Sequence, residues 1–322
     1  LEVAHELTRH VANLALPREV REPLRRVREA VLARVEEAHE PGDRAAYYRR
    51  RLIRDPVRID FRPEIREAIE RAGAEVGIER GARIVAVHAR EAGWKRGREV
   101  HELKSGRRDD SARNARIETY FDAIDELVAG GYRVVRIGDP SMAPLTRAGV
   151  IDLATHARRT PALEVLALLR SELVISGDAG PHAVSYLTNT PCLVVNVSDP
   201  ICSFPVRPSG LFIFKKVIDL DTGRLLTLPE MMGESHYRNL RNTSVFGYRD
   251  NTSEEIALAV REMRDSLAHG WRETDVQRRY REAATEAGLH LRTRVRYVQK
   301  WGPDEGFLGD GRVADFYARQ YV

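Results

Sequence analysis

The chain has 322 residues, of which 43% are hydrophobic and 31% charged, enough to build a core without disulfide or metal staples and to form two domains or one domain with appendages. No window approaches the roughly 18 consecutive apolar residues of a membrane helix, which excludes a helical span. The 52 basic residues exceed the 48 acidic ones by four, and all but five of the basic residues are arginine, so the charge balance fits a basic nucleic-acid binder or an arginine-rich solvated surface equally well.

The chain starts at Leu1 rather than Met, which is compatible with a fragment, and residues 1–30 mix apolar side chains with Arg and Glu throughout, unlike a secretory leader. With only Cys192 and Cys202 available, neither a disulfide framework nor a four-cysteine zinc site can form, and a cytoplasmic location is expected. Residues 1–80 read as helices. Pro17 can open one whose apolar positions Val20, Leu24, Val27, Val31 and Val35 recur at helical spacing to about His39, before Pro41-Gly42-Asp43 breaks it. A second fits Pro63 to Ala72, with Ile65 and Ile69 inward and Gly73 as its stop. This part holds 17 Arg against 16 Asp or Glu, a solvated helical face rather than a basic arm.

From Gly81 strands alternate with helices. Ile84 to Val87 is a short buried strand, and Ile117, Tyr120, Phe121, Ile124, Leu127 and Val128 form a helical stripe that stops at Gly130-Gly131. Tyr132 to Ile137 is the next strand, ended by Gly138-Asp139-Pro140. Thr160 caps a helix that has Pro161 at its first position and Leu163, Leu166 and Ala167 inward. Leu173 to Ile175 is a strand, Pro181 to Leu187 a helix and Cys192 to Val197 a further strand. This alternation predicts right-handed crossovers and an α/β, Rossmann-like, doubly wound parallel sheet over residues 81–270, with a helical extension over 271–322. Residues 198–250, rich in Pro, Gly and Asn, read as a long surface excursion. Asn251 to Ile256 carries the caps and first-turn acids of a helix running to about Leu267.

Ligands of parallel sheets sit beyond the carboxyl ends of the strands, and three such ends here carry unusual polar residues. In Val87-His88-Ala89-Arg90-Glu91, alternation puts His88 and Arg90 on one side of the chain, where an imidazole and a guanidinium suit a diphosphate; a satisfied core histidine beside a surface ion pair is the plainer reading. In Ser176-Gly177-Asp178-Ala179-Gly180-Pro181-His182, glycines and a helix start make a phosphate cradle, although a strand-to-helix turn needs small residues for its geometry alone. Gly138-Asp139-Pro140-Ser141 is first of all a turn, with Asp139 placed near a nucleoside in the functional reading. The loop 90–116 contains nine basic and five acidic residues, an excess equal to the net charge of the whole chain, and with Trp94 and Asn114 it suits either a lid over an anion or a solvated loop. No metal-ligand spacing and no Gly-x-Ser-x-Gly elbow occurs.

These residues resemble a family of bacterial glycosyltransferases of the two-Rossmann GT-B type that is related to fucosyltransferases. The shared elements are the His-x-Arg-Glu strand end at His88 to Glu91, the Arg-Asn-Ala loop at Arg113 to Ala115, the Gly-Tyr-x-Val-x-Arg-x-Gly-Asp strand at Gly131 to Asp139, and the Asn-Thr-x-Glu-Glu-Ile helix start at Asn251 to Ile256. The stretches Arg83 to Trp94 and Ile151 to Asn196 are also similar to the heptosyltransferase pattern, whose Gly-Pro-x-His-type turn receives the donor phosphates.

The resemblance implies a metal-independent transferase without a cofactor that moves a sugar from a nucleotide-diphospho sugar to an unidentified acceptor. It implies a donor-diphosphate role for Arg90, with His88 assisting. Phosphate contacts would come from Ser176, Gly177, Asp178, Ala179, Gly180 and His182, and Asn114 and Asp139 would lie on the donor side. Glu91, Glu99 and Glu102 are within reach as the acceptor base, with Glu91 taken into the catalytic set. The amino-terminal acceptor domain of such enzymes would be abbreviated or missing, residues 1–80 being its remnant. No nucleic-acid partner is expected, because Trp94 stands alone among the basic residues of 90–116, and a homodimer is allowed. A nucleotide-sugar epimerase on the same scaffold and a non-catalytic nucleotide- or nucleic-acid-binding module are the alternatives.

Overall fold

The computed structural model describes residues 59–95, 100–103, 106–201, 207–295 and 311–321. The helix expected from Pro17 to His39 and the candidate base Glu99 lie outside them.

Among the described residues, seven parallel strands form the central sheet. In chain order they are β1 (Ile84–His88), β4 (Arg133–Arg136), β5 (Val150–Asp152), β6 (Ser171–Ser176), β7 (Cys192–Val197), β8 (Gly210–Phe214) and β11 (Arg312–Val313), arranged across the sheet as β11-β8-β7-β6-β1-β4-β5. Two hairpins stand apart from it: β2 (Val100–Leu103) with β3 (Gly106–Asp109), and β9 (Lys216–Asp219) with β10 (Phe246–Arg249). β1, β7 and β8 are buried along their whole length, which is why they read as continuous apolar runs: a parallel sheet is covered on both faces.

The covering helices come in two groups. α2 (Phe121–Ala129) packs with α7 (Ser253–His269), whereas α3 (Pro161–Arg170) packs with α1 (Pro63–Glu75) and α4 (Gly180–Thr188). α3 starts at the expected cap, the Thr160 hydroxyl accepting from the Leu163 N–H at 3.2 Å. α7 opens on a capping box in which Thr252 accepts from the Glu255 N–H and the Glu255 carboxylate from the Thr252 N–H, at 3.2 and 3.0 Å. α8 (Asp275–Arg292) and the short α9 (Asp315–Ala318) complete the carboxy-terminal part, whose β11 extends the main sheet beside β8. No helix among the described residues is long and apolar enough to cross a membrane.

The structure departs from the sequence expectations at three places. α1 continues through Gly73 to Glu75, and Ile65 is 49% exposed rather than inward. Gly73 is a packing glycine and not a stop: a Cβ there would lie 2.5 Å from Leu166 Cδ2 of α3. The stretch 198–250 is not a surface excursion throughout, because β8 lies inside the sheet between β7 and β11 and every residue of it is buried. The third is β5, a three-residue strand in a stretch rich in turn formers.

One polar contact inside the core ties the sheet to α7. Asn196, at the end of β7 with φ of 55°, accepts from the Asn251 N–H at 2.7 Å, and the Asn251 side chain accepts from the Asn196 N–H at 2.7 Å. Asn251 Nδ2 also donates to the Phe214 carbonyl of β8 at 2.9 Å. A left-handed residue in the core is tolerated where its backbone is over-determined in this way.

Candidate functional site

Strand order fixes where a ligand can sit. The chain leaves β1 toward β4 on one side and leaves β6 toward β7 on the other, so the crevice between β1 and β6 is the topological switch point. His88 and Ser176 are register partners at its mouth, and the Gly177 N–H donates to the His88 carbonyl at 2.9 Å. The sheet therefore brings His88, Arg90 and the whole 176–182 turn together. The Gly177 amide is spent on this join.

The charged groups around the crevice form one network. Arg90 is buried; its Nη1 donates to the Asp110 carbonyl at 2.6 Å and to the Asn114 side-chain oxygen. The Asp178 carboxylate accepts from the Ser198 hydroxyl at 2.7 Å and from Arg241 Nη2 at 2.9 Å, and lies 3.4 Å from Arg113 Nε. Arg113 Nε also donates to the Asp178 carbonyl at 2.8 Å. Asp110 lies 3.4 Å from Arg108 and 3.8 Å from Arg241. From the end of β8, Lys215 Nζ donates to the Asn114 carbonyl and, at 2.7 Å, to Asp250. Four arginines and a lysine thus surround two buried aspartates.

Burial opposes the charge on Asp178, but Arg113 and Arg241, helped by the Ser198 hydroxyl, outweigh it and hold the carboxyl well below the usual carboxylate range. Burial first, then Arg90 and Arg136, push His88 down to about 3, so its ring is neutral and offers hydrogen bonding rather than charge. His182, in the first turn of α4, is lowered by burial against the opposing pull of Asp178. Lys215 is lowered by burial, opposed by Asp250.

The remaining expected residues fall around this centre. Ser176 is fully buried, its hydroxyl donating to the Gly177 carbonyl; Ala179 is the N-cap of α4 and Gly180 its first residue. Asp139 is one strand over, after β4, and accepts from the Ser141 N–H at 2.9 Å. Glu91 faces away from the arginine network: it pairs with Arg136 Nη2 at 2.6 Å and accepts from the Ala143 N–H at 3.2 Å. Arg136, 1% exposed, also pairs with Asp152 at 3.3 Å. The strand holding Glu102 belongs to the β2–β3 hairpin. Among the described residues no cluster of three or more His, Cys, Asp or Glu side chains could hold a metal ion.

Sequence reasoning missed Arg241, Ser198, Asp110 and Lys215. Lys215 had a signal, a lysine closing the apolar run of β8. Arg241 had none: it is a non-glycine residue at φ of 61° whose N–H donates to the Tyr248 hydroxyl at 2.7 Å and whose carbonyl accepts from the Asp109 N–H at 2.7 Å.

No protein-family model matches this chain, and no curated protein sequence matches it. Two solved structures align with 42% of it. One is the glycosyl transferase family 9 protein from Veillonella parvula DSM 2008, at 15% identity and a TM-score of 0.29 over 36% of that chain. The other is the E. coli ADP-heptose lps heptosyltransferase II, at 12% identity and a TM-score of 0.30 over 38% of that chain. The aligned region spans little more than a third of either protein, so the functional reading rests on the site itself.

Proposed function

We propose that the chain is a metal-independent glycosyltransferase that takes a nucleotide-diphospho sugar as donor and transfers the sugar to an acceptor hydroxyl. The observation that carries this reading is the gathering of Arg90, Arg108, Arg113, Arg241 and Lys215 at the mouth of the β1–β6 crevice, beside the amino terminus of α4. As the bond between the anomeric carbon and the diphosphate oxygen breaks, negative charge grows on the leaving diphosphate. Fixed guanidinium groups in a site of low dielectric stabilise that charge without reorganising. The acceptor oxygen forms the new bond to the anomeric carbon and gives its proton to a base. Glu91 is held by Arg136 and by the Ala143 N–H, and Glu99 and Glu102 are the other candidates for that base. The motifs shared with fucosyltransferase-related enzymes support the same assignment.

A thermal-shift screen against GDP, UDP, ADP and CMP tests it, because a ligand that binds only the folded state raises the melting temperature. A diphosphate is expected to stabilise the protein more than CMP. The matching nucleotide sugar should then release nucleoside diphosphate when an acceptor is supplied. No stabilisation by any of the four would reject the assignment.

A further inference from the structure

Burial separates the cations of this site into two kinds. Arg241 and Lys215 are each 2% exposed and Arg90 is 4% exposed, so they act on a ligand through their charge and leave little surface for direct contact. Arg113 keeps 21% of its side-chain surface. Its Nε is fixed by the Asp178 carbonyl, and among the described residues neither of its Nη atoms donates a hydrogen bond; Asp110 Oδ2 lies 4.0 Å from Nη1. A guanidinium anchored through Nε presents its two Nη groups as a fork, the geometry that binds a phosphate through two parallel hydrogen bonds. Arg113 ends the short helical turn Asp110–Arg113 and is anchored on Asp178, in the turn that leads into α4, where the helix dipole also favours an anion.

Asp178 has the opposite character. Its side chain is 3% exposed, and Oδ2 already accepts from Ser198 and Arg241. The Ser198 hydroxyl in turn accepts from Arg241 Nε at 2.7 Å, which closes a ring of three side chains. Two guanidinium groups, those of Arg113 and Arg241, therefore face the one Asp178 carboxylate, and the trio keeps a net positive charge for a ligand. Holding Arg241 at a positive φ costs about 1 kcal/mol, and Tyr248 and Asp109 bind its backbone in place.

We propose that Arg113 is the side chain that meets the donor diphosphate, and that Asp178 is a positioning residue that aims it through its carbonyl and carboxylate at Nε, while Arg241 shares the charge of Asp178. This rests on the reading of the crevice as a diphosphate site, and it reverses the ordinary Coulomb expectation for Asp178. Removing a carboxylate beside a phosphate site should tighten binding if the carboxylate merely repels the ligand. It should weaken binding if the carboxylate holds the arginine.

The test uses the full chain and calorimetric titration with inorganic pyrophosphate and with the nucleoside diphosphate that stabilises it most. Arg113→Gln should lose at least about tenfold in affinity for both probes with little change in melting temperature, the scale of one charge-assisted bidentate contact. Arg113→Lys should recover only part, because an ammonium cannot form the fork. Asp178→Asn should weaken binding, yet add nothing in the Arg113→Gln background, since a residue acting through another shows full coupling in a double-mutant cycle. If Asp178→Asn does not fold, Ser198→Ala is used in the same cycle and should weaken binding several-fold. Arg83→Gln, at the other end of the sheet, is the unaffected control. Wild-type affinity in Arg113→Gln, or tighter binding by Asp178→Asn, would overturn the inference. Pyrophosphate binding that depends on Arg113, without binding of any nucleotide, would uphold it while rejecting the nucleotide-sugar donor. Absence of binding to every probe would overturn both.

Discussion

Glu262 of α7 gives this fold a calculable response to pH. Its carboxylate holds the carboxy-terminal segment in place: Oε1 and Oε2 accept from the Asp315 N–H at 3.0 and 2.9 Å, and Oε1 accepts from Gln277 Nε2 at 2.9 Å. Gln277 also donates to the Val313 carbonyl at 2.8 Å, and Thr274 donates to the Asp315 carboxylate. Burial, joined by the negative charge of Asp315, pushes Glu262 up from 4.5 to about 7. A carboxyl whose folded pKa lies above its unfolded one contributes stability that is fully present below pH 4.5 and is lost as pH rises through 7. At 1.36 kcal/mol per unit, the swing is roughly 3 kcal/mol. Two buried histidines run the other way. Burial lowers His88 to about 3 and His236 to about 4, so their contribution is present above pH 6.5 and is lost on acidification.

The histidines mask the Glu262 effect in the wild type, and Glu262→Gln, which cannot ionise, unmasks it. Urea denaturation of both proteins between pH 5 and pH 8.5 should show the wild type losing up to roughly 3 kcal/mol relative to the variant as pH rises. Amide protection factors in residues 311–321, which correct for the intrinsic rise of exchange with pH, should fall over the same window in the wild type alone. Parallel stability profiles for the two proteins would refute the reasoning.

Asn251→Ala removes the acceptor of the Asn196 N–H and leaves that buried donor unpaired at about 1–3 kcal/mol, while the Phe214 carbonyl keeps the Tyr317 hydroxyl; chemical denaturation should report a loss in that range. Glu91→Ala leaves the buried Arg136 with Asp152 as its carboxylate partner, so denaturation should show a cost near the lower end of the ~3–5 kcal/mol seen when a buried pair is broken. Cys192 is 2% exposed and burial pushes its thiol up to about 12. In a Cys202→Ser background, a thiol reagent should therefore label nothing in the native protein and one thiol in denaturant.

How legible each part was follows from how local its signal is. β7 and α3 were visible because a continuous apolar run and a Thr-Pro cap are written within a few neighbouring residues. β8 carries the same kind of run, Gly-Leu-Phe-Ile-Phe, but Arg207-Pro208-Ser209 before it and Lys215-Lys216 after it give the segment the composition of a loop. Only the pairing with β7 and β11, which is not local, makes it a central strand. The 176–182 turn announced itself by composition, and the sheet then placed it beside His88 as the alternation required. Arg241 lies 63 residues from Asp178 in the chain, and nothing in Asn239-Leu240-Arg241-Asn242 marks a left-handed backbone. A network built across such separations appears only when the chain has folded.

The position of β1 in the sheet has a consequence for how the protein is made. Among the described strands it is the first to leave a ribosome, yet its partners are β4 on one edge and, more than eighty residues later, β6 on the other. Until residue 176 has been synthesised, the nascent chain carries an apolar strand with an open edge, the kind of surface that recruits other strands. A nascent chain stalled between β5 and β6 would hold β1 with one of its two neighbours still unmade.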